Sequence, residues 1–322
     1  MWDDELPAAR WQVWWHARPG DTDVLVAARR QGFVVGAAEL RDLGISRSAT
    51  RTALRRGRWW SPAIGTVCPL NLAADTDDEH LVLRRRHAVM SSAAVLKRPD
   101  HIVAARSAAI VHGLPTLFVP DRAELAAVNH NGLGRRNPAH SYGAALYAYS
   151  VAAWHGVLVT AVARTLVDLA RHDRRDAIMA ADAALREELV TRAQIECELP
   201  DAIGWPGVRQ AREVLALADP RAESPLESIT RLALHDDGFP VPKLQRWIGG
   251  DRVDFYWPDH RFVLEADGRA KYRDDANWDE KKREQRLRGY PDQVRDVDRV
   301  IWSDVTRNWP ATSARLRPYF RR

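Results

Sequence analysis

The sequence predicts an α+β protein in several parts, and three observations predict it. Residues 252–267 alternate apolar and polar side chains in two short runs joined by Pro258-Asp259, the pattern of a strand pair with a turn. Residues 24–58 instead carry helical spacing, with arginines crowding the last of three short segments. Between these regions, residues 73–218 mix helical stripes with alternating runs, as expected where helices and sheets share a core.

Size and composition agree with folded domains. The 322 residues suffice for two or three of them. A hydrophobic content of 46% with regular Pro and Gly punctuation excludes a disordered chain. The net charge of +5 and a pI near 9.4 favour a polyanionic partner. Cys68 and Cys197 form no CxxC pattern, which argues against a zinc module or a disulfide framework and fits a reducing cytoplasm. No apolar run approaches the roughly 20 residues that span a bilayer. The start, MWDDELP, lacks the basic–apolar order of a secretion signal. The expectation is a soluble cytoplasmic protein with no membrane contact.

Residues 1–22 form a leader with Trp2, Trp11, Trp14 and Trp15 and no clear period. The first folded part is expected over residues 23–72. Val24–Gln31 is a short amphipathic helix ended by Gly32, and two further helical patterns meet at Leu43–Gly44–Ile45. Ser46 or Ser48 caps the second of these, whose inner side is Ile45, Ala49, Ala53 and Leu54. Arg47, Arg51, Arg55, Arg56 and Arg58 take the remaining positions. After Gly57, RWWSPAIGTVCPL forms two short strands around Pro62 and Gly65, like the wing of a winged helix-turn-helix. Such a helix can enter a major groove, its guanidiniums touching phosphates and guanine edges. An arginine-rich helical face can also be merely solvated; the wing-like tail and the near absence of acids favour DNA.

A mixed middle part is expected over residues 73–220. HLVLRRRHAVMSSAAVLKR, SAAIVHGLP and TAVARTLVDLARHD are helical, the last with Thr160 as its cap, while RAELAAVNH and ALYAYSVAAWHGVLVT contain strands. His112, Arg164 and Asp168 are expected to hold these helices together and are assigned no chemistry. The last part, residues 221–322, opens with Ser224, Pro225 and Glu227, a capping box with Pro at the first helical position. VPKLQRWIGG is a strand turning at Gly249-Gly250 into DRVDFYW. A helix from Trp278 carries Lys281, Lys282, Arg283, Arg286 and Arg288, with Glu280 and Glu284 as partners. Asp298–Trp302 is the final strand, followed by a basic tail.

In the strand pair, Val253 and Phe255 share one face and leave Asp254 on the other. Phe262, Leu264 and Ala266 do the same for Glu265 and Asp267. Pairing the apolar faces brings Asp254, Glu265 and Asp267 together. Converging carboxylates repel unless a cation lies between them, and oxygen ligands suit a hard ion such as Mg²⁺ or Mn²⁺. Ordinary acids on an outer strand face are the alternative.

An acidic residue, a turn, then E-x-D-G-x-x-K at Glu265, Asp267, Gly268 and Lys271 resembles the PD-(D/E)xK nuclease superfamily. More narrowly it resembles a bacterial domain related to Vsr-type very-short-patch-repair endonucleases, which carry a Glu on the preceding helix, here Glu227. Where many relatives have His this chain has Lys271, and Asp267 replaces the usual Lys two residues after the Glu. The first folded part resembles the N-terminal winged-helix domain of AbiEi-type antitoxins, and SAAIVHGL and ARTLVDLAR resemble the central region of similar actinobacterial proteins. These resemblances imply a winged helix-turn-helix, a mixed middle domain and a C-terminal α/β restriction-endonuclease-like domain. They further imply a Mg²⁺- or Mn²⁺-dependent endonuclease acting on DNA, in phage defence or a toxin–antitoxin setting with a toxin protein as partner. Asp254 and Glu265 would bind the metal, helped by Asp267 or Glu227, and Lys271 would contact the phosphate. The alternatives are a non-catalytic, antitoxin-like repressor whose nuclease fold only grips DNA or a partner, and an RNA substrate.

Overall fold

The computed structural model describes residues 22–73, 76–127, 140–143, 147–268 and 285–321. The leader up to residue 21, Lys271 and the basic positions 281–283 lie outside the described residues. The protein is α+β. It divides into two compact units, Met1–Asp176 with Leu189–Arg212, and Ala177–Glu188 with Glu213–Arg322.

The first unit begins with helix α1 (Thr22–Arg29), strand β1 (Val35–Gly36), helices α2 (Ala37–Asp42) and α3 (Arg47–Arg55), and strand β2 (Thr66–Val67). Val24 and Ala28, one helical turn apart, bury the inner stripe of α1 with Leu40 of α2, Ala53 of α3, Val35, Trp59 and Val67. Ser46 caps α3, its Oγ accepting the Ala49 N–H at 3.1 Å. β1 and β2 pair antiparallel, and Trp60 and Cys68 add one antiparallel bridge. These residues share a core with the chain that follows: Phe33, Val34, Cys68 and Leu70 cluster with Val89, Val103, Leu125 and Trp154. The approach is close enough that a Cβ on Gly156 would sit 1.9 Å from the Arg30 carbonyl oxygen.

Helix α4 (Glu79–Leu96), strand β3 (His101–Val103), helix α5 (Ala105–Val111) and strands β4 (Glu124–Ala127), β5 (His140–Gly143), β6 (Val151–Trp154) and β7 (Val157–Thr160) follow, then α6 (Val162–His172). The sheet order is β5-β4-β3-β7-β6, with β3 parallel to β7 and β4 parallel to β5. Ala161, not Thr160, is the N-cap of α6; the Thr160 and Thr165 hydroxyls bond each other at 2.7 Å instead. His112 bonds the Thr160 carbonyl through Nε2 at 2.7 Å, and Arg164 Nε donates to Asp168 at 3.1 Å.

Helices α7 (Arg174–Arg186), α8 (Arg192–Asp201) and α9 (Val208–Ala216) precede the sheet of the second unit. That sheet is preceded by α10 (Pro225–Asp236) and comprises β8 (Lys243–Ile248), β9 (Asp251–Trp257), β10 (Phe262–Ala266) and β11 (Asp296–Val300), in the order β11-β10-β9-β8. β11 runs parallel to β10, and the other neighbours are antiparallel. α11 (Trp302–Thr306) and α12 (Trp309–Leu316) close the unit, so Trp302 starts a helix where the sequence suggested the end of a strand. Trp257 stacks on its registered partner Phe262 at 5.4 Å. The simple alternation breaks at Asp254: Val253 clusters with Tyr256 and Val263, whereas Phe255 stacks on Trp257. Opposite this point Gln245 has a left-handed φ of 52°.

Candidate active site

Helix α10 starts where Ser224, in extended conformation, lets its Oγ accept the Glu227 N–H at 3.2 Å, with Pro225 in the first turn. Glu227 does not reach back to the Ser224 N–H as a capping box would. Its carboxylate accepts the Glu223 N–H at 3.0 Å and a second hydrogen bond from Gln245 Nε2 at 2.8 Å. The side chain is 6% exposed. Burial, and the Asp254 carboxylate acting against the pull of the Glu223 N–H, hold the Glu227 carboxyl above its ordinary range.

β9 and β10 pair from Trp257↔Phe262 to Phe255↔Leu264. Beyond that pair the ladder stops, and the Ala266 N–H is satisfied by the Asp254 carboxylate at 2.8 Å rather than by a backbone carbonyl. The second Asp254 oxygen accepts from Gln245 Nε2 at 3.2 Å. One neutral amide therefore joins two carboxylates, on a residue whose backbone sits in a conformation that disfavours side chains. Gln245 is the site residue missed in the sequence. Its signal was present: a two-residue turn at Gly249-Gly250 sets position 245 opposite position 254.

Glu265, 7% exposed, lies on β10 in register with Arg299 of β11. Asp267 is half-buried just past the strand, with its N–H on the Val300 carbonyl at 2.9 Å. Glu227 is thus the acid joined to Asp254. Among the described residues, no three His, Cys, Asp or Glu side chains gather as a metal-holding group. The chemistry of the donors nonetheless fits a hard divalent cation: two anionic oxygen donors share one neutral amide.

The five arginines fall into two sets. Arg47, Arg51 and Arg55 recur every fourth residue on α3 and are exposed. Arg56, which ends α3, and Arg58, whose guanidinium lies 5.9 Å from the Trp59 ring centroid, line a groove of about 380 Å³ with Ser48, Thr52 and Ile45. Among the described residues no helix is long and apolar enough to cross a membrane.

No protein-family model matches the chain. Two uncharacterized proteins of Mycobacterium tuberculosis, Rv2248 of strain ATCC 25618 / H37Rv and MT2308 of strain CDC 1551 / Oshkosh, are each 47% identical to it over 116 residues. The match takes in 34% of this chain and spans 43% of each relative's length. The crystal structure of the RV2827C protein from Mycobacterium tuberculosis aligns with a TM-score of 0.35 and 17% identity, covering 67% of this chain and 81% of that one.

Proposed function

We propose that the chain is a DNA-binding protein that hydrolyses phosphodiesters with a divalent cation at Asp254, Glu265 and Glu227. The observation that carries this reading is the Glu227–Gln245–Asp254 arrangement, two partly desolvated acids held together without a cationic partner among the described residues. Its setting supports a restriction-endonuclease-like fold: a helix, three antiparallel strands, and a fourth strand parallel to the third. Asp254 and Glu265 would hold the ion, with Glu227 completing the set in preference to Asp267. A bound Mg²⁺ or Mn²⁺ supplies an activated water and offsets charge on the scissile phosphate. Gln245 fixes the orientation of both Glu227 and Asp254, and Lys271 is assigned to the phosphate. This likeness keeps the Vsr-type nuclease resemblance as the proposed affinity of the unit.

In the first unit, the capped α3 with Arg47, Arg51 and Arg55 on its open side, beside the β1–β2 pair and the Trp60–Cys68 bridge, supports a winged helix-turn-helix of the AbiEi type. Plasmid and linear DNA incubated with Mg²⁺ or Mn²⁺ should be nicked, and EDTA should stop it. A second reading, a repressor without catalysis, is favoured by one detail. Both Asp254 oxygens and one Glu227 oxygen already accept hydrogen bonds from protein N–H groups. Lack of cleavage on duplex, single-stranded and RNA substrates, with DNA binding retained, would select it.

A further inference from the structure

The β8–β9 hairpin ends in a surface that the acid site does not use. Trp247 is 63% exposed, an unusual position for the largest side chain on a strand. Its registered neighbour across the hairpin is Arg252, and Lys243 and Arg246 are exposed on the same edge strand. Two residues beyond Trp247 the chain turns at Gly249, φ +58°, where an added Cβ would sit 2.4 Å from the Tyr290 ring. That ring therefore lies directly on the turn, and Tyr290 is itself 41% exposed.

This surface connects to the acid pair by short steps. Arg252 bonds Glu223, whose N–H is held by Glu227, and Gln245 on the same strand as Trp247 bonds both Glu227 and Asp254. Two exposed aromatics among cations, at the rim of paired acids, suit a polymer with flat bases and a charged backbone. Strand addition by a protein segment suits the edge poorly. The left-handed Gln245 interrupts its extended run, and Lys243 and Arg246 charge it.

We infer that Trp247, with Tyr290 and the cations Lys243, Arg246 and Arg252, is a stacking platform for unpaired bases, so that the second unit takes single-stranded or locally opened nucleic acid. The inference rests on the reading that this unit handles nucleic acid. Stacking needs bases, whereas charge needs only phosphates, and an abasic strand separates the two. By fluorescence anisotropy, the full chain should bind a labelled oligothymidylate about tenfold more tightly than an abasic strand of equal length. Trp247→Ala should erase that preference, Trp247→Phe should keep most of it, and the melting temperature of both variants should match wild type. The preference should persist in Arg47→Ala/Arg51→Ala, which strips two cations from α3, and in Asp254→Asn, which tests the acid site separately. Equal binding of the two strands by wild type, or a full preference in Trp247→Ala, would overturn the inference. So would concentration-dependent self-association abolished by Trp247→Ala without any base preference, which would assign the edge to protein.

Discussion

Two groups of acids, one in each unit, are handled in opposite ways. In the first unit, Arg106 gathers three acids, two of them buried: Asp176 at 2.5 Å from Nε, Glu124 at 3.6 Å and the part-exposed Asp173 at 3.4 Å. Arg164 and Arg171 likewise bracket Asp168 at 3.1 and 3.4 Å, and both guanidiniums stack on Trp205. In the second unit, Glu227 and Asp254 share the neutral amide of Gln245. A fixed guanidinium makes an acid part of the scaffold, because removing either partner strands a buried charge. A shared amide satisfies hydrogen bonds but leaves the charge, so the pair is suited to exchange a donor for a cation. The difference lies in what neutralises the acids, since burial lifts Asp176 and Glu227 alike.

The largest effect expected from this contrast is on cleavage. Asp254→Asn and Glu265→Gln should each lower metal-dependent nicking by on the order of a hundredfold or more, with DNA binding kept. Gln245→Leu should do less, roughly ten- to a hundredfold in the metal concentration required, as for loss of a residue that orients ligands. Metal titrations of nicking measure both, and unchanged titrations would place Gln245 among ordinary strand residues.

The scaffold acids should respond in stability instead. Arg106→Met should cost about 3–5 kcal/mol in chemical denaturation, because Asp176 is fully buried, and should leave the metal requirement untouched.

A pH effect of similar origin belongs to the first unit. Burial pushes His112 down to about 4, while in the unfolded chain it titrates near its ordinary value of 6.5. Between these values the unfolded state takes up a proton that the folded state refuses. Stability is therefore fully present above about pH 6.5 and falls as the pH drops towards 4, by up to about 3 kcal/mol from this residue. Melts between pH 7.5 and 4.5 should show the loss, and His112→Asn should flatten part of it.

The smallest effect should come from the exposed arginines. Arg47→Ala/Arg51→Ala should move stability by no more than about 0.5 kcal/mol. For every phosphate that these arginines neutralise, the double variant should show a log–log salt slope of duplex binding shallower by about 0.9. An unchanged slope would remove α3 from the interface.

The parts of this fold legible in the sequence are those set by local rules. Ser46 and Ser224 cap where a short polar side chain precedes a helical stripe, and β9 and β10 follow from alternation around Pro258. Glu227 shows the limit of such rules: its spacing from Ser224 predicts a reciprocal cap, but the carboxylate turns to Glu223 and Gln245. Asp254 shows another, since alternation assumes a regular ladder and this one ends beside it. The core shared by Phe33, Cys68, Leu125 and Trp154 is set by packing between segments far apart in the chain, which no local pattern carries.

The central claim, the proposal that the joined Glu227 and Asp254 take up a divalent cation to which Glu265 would add a ligand, is tested most directly by calorimetry of the whole chain with and without millimolar Mg²⁺ or Mn²⁺. A ligand bound only by the folded state stabilises it, by about 2.7 kcal/mol at a hundredfold excess over its dissociation constant. Wild type should therefore melt higher with metal than with EDTA, Asp254→Asn should lose the shift, and Arg106→Met should keep it on a lower baseline. Identical wild-type melts in metal and in EDTA would contradict the account and leave Glu227 and Asp254 as acids held by an amide and two backbone N–H groups.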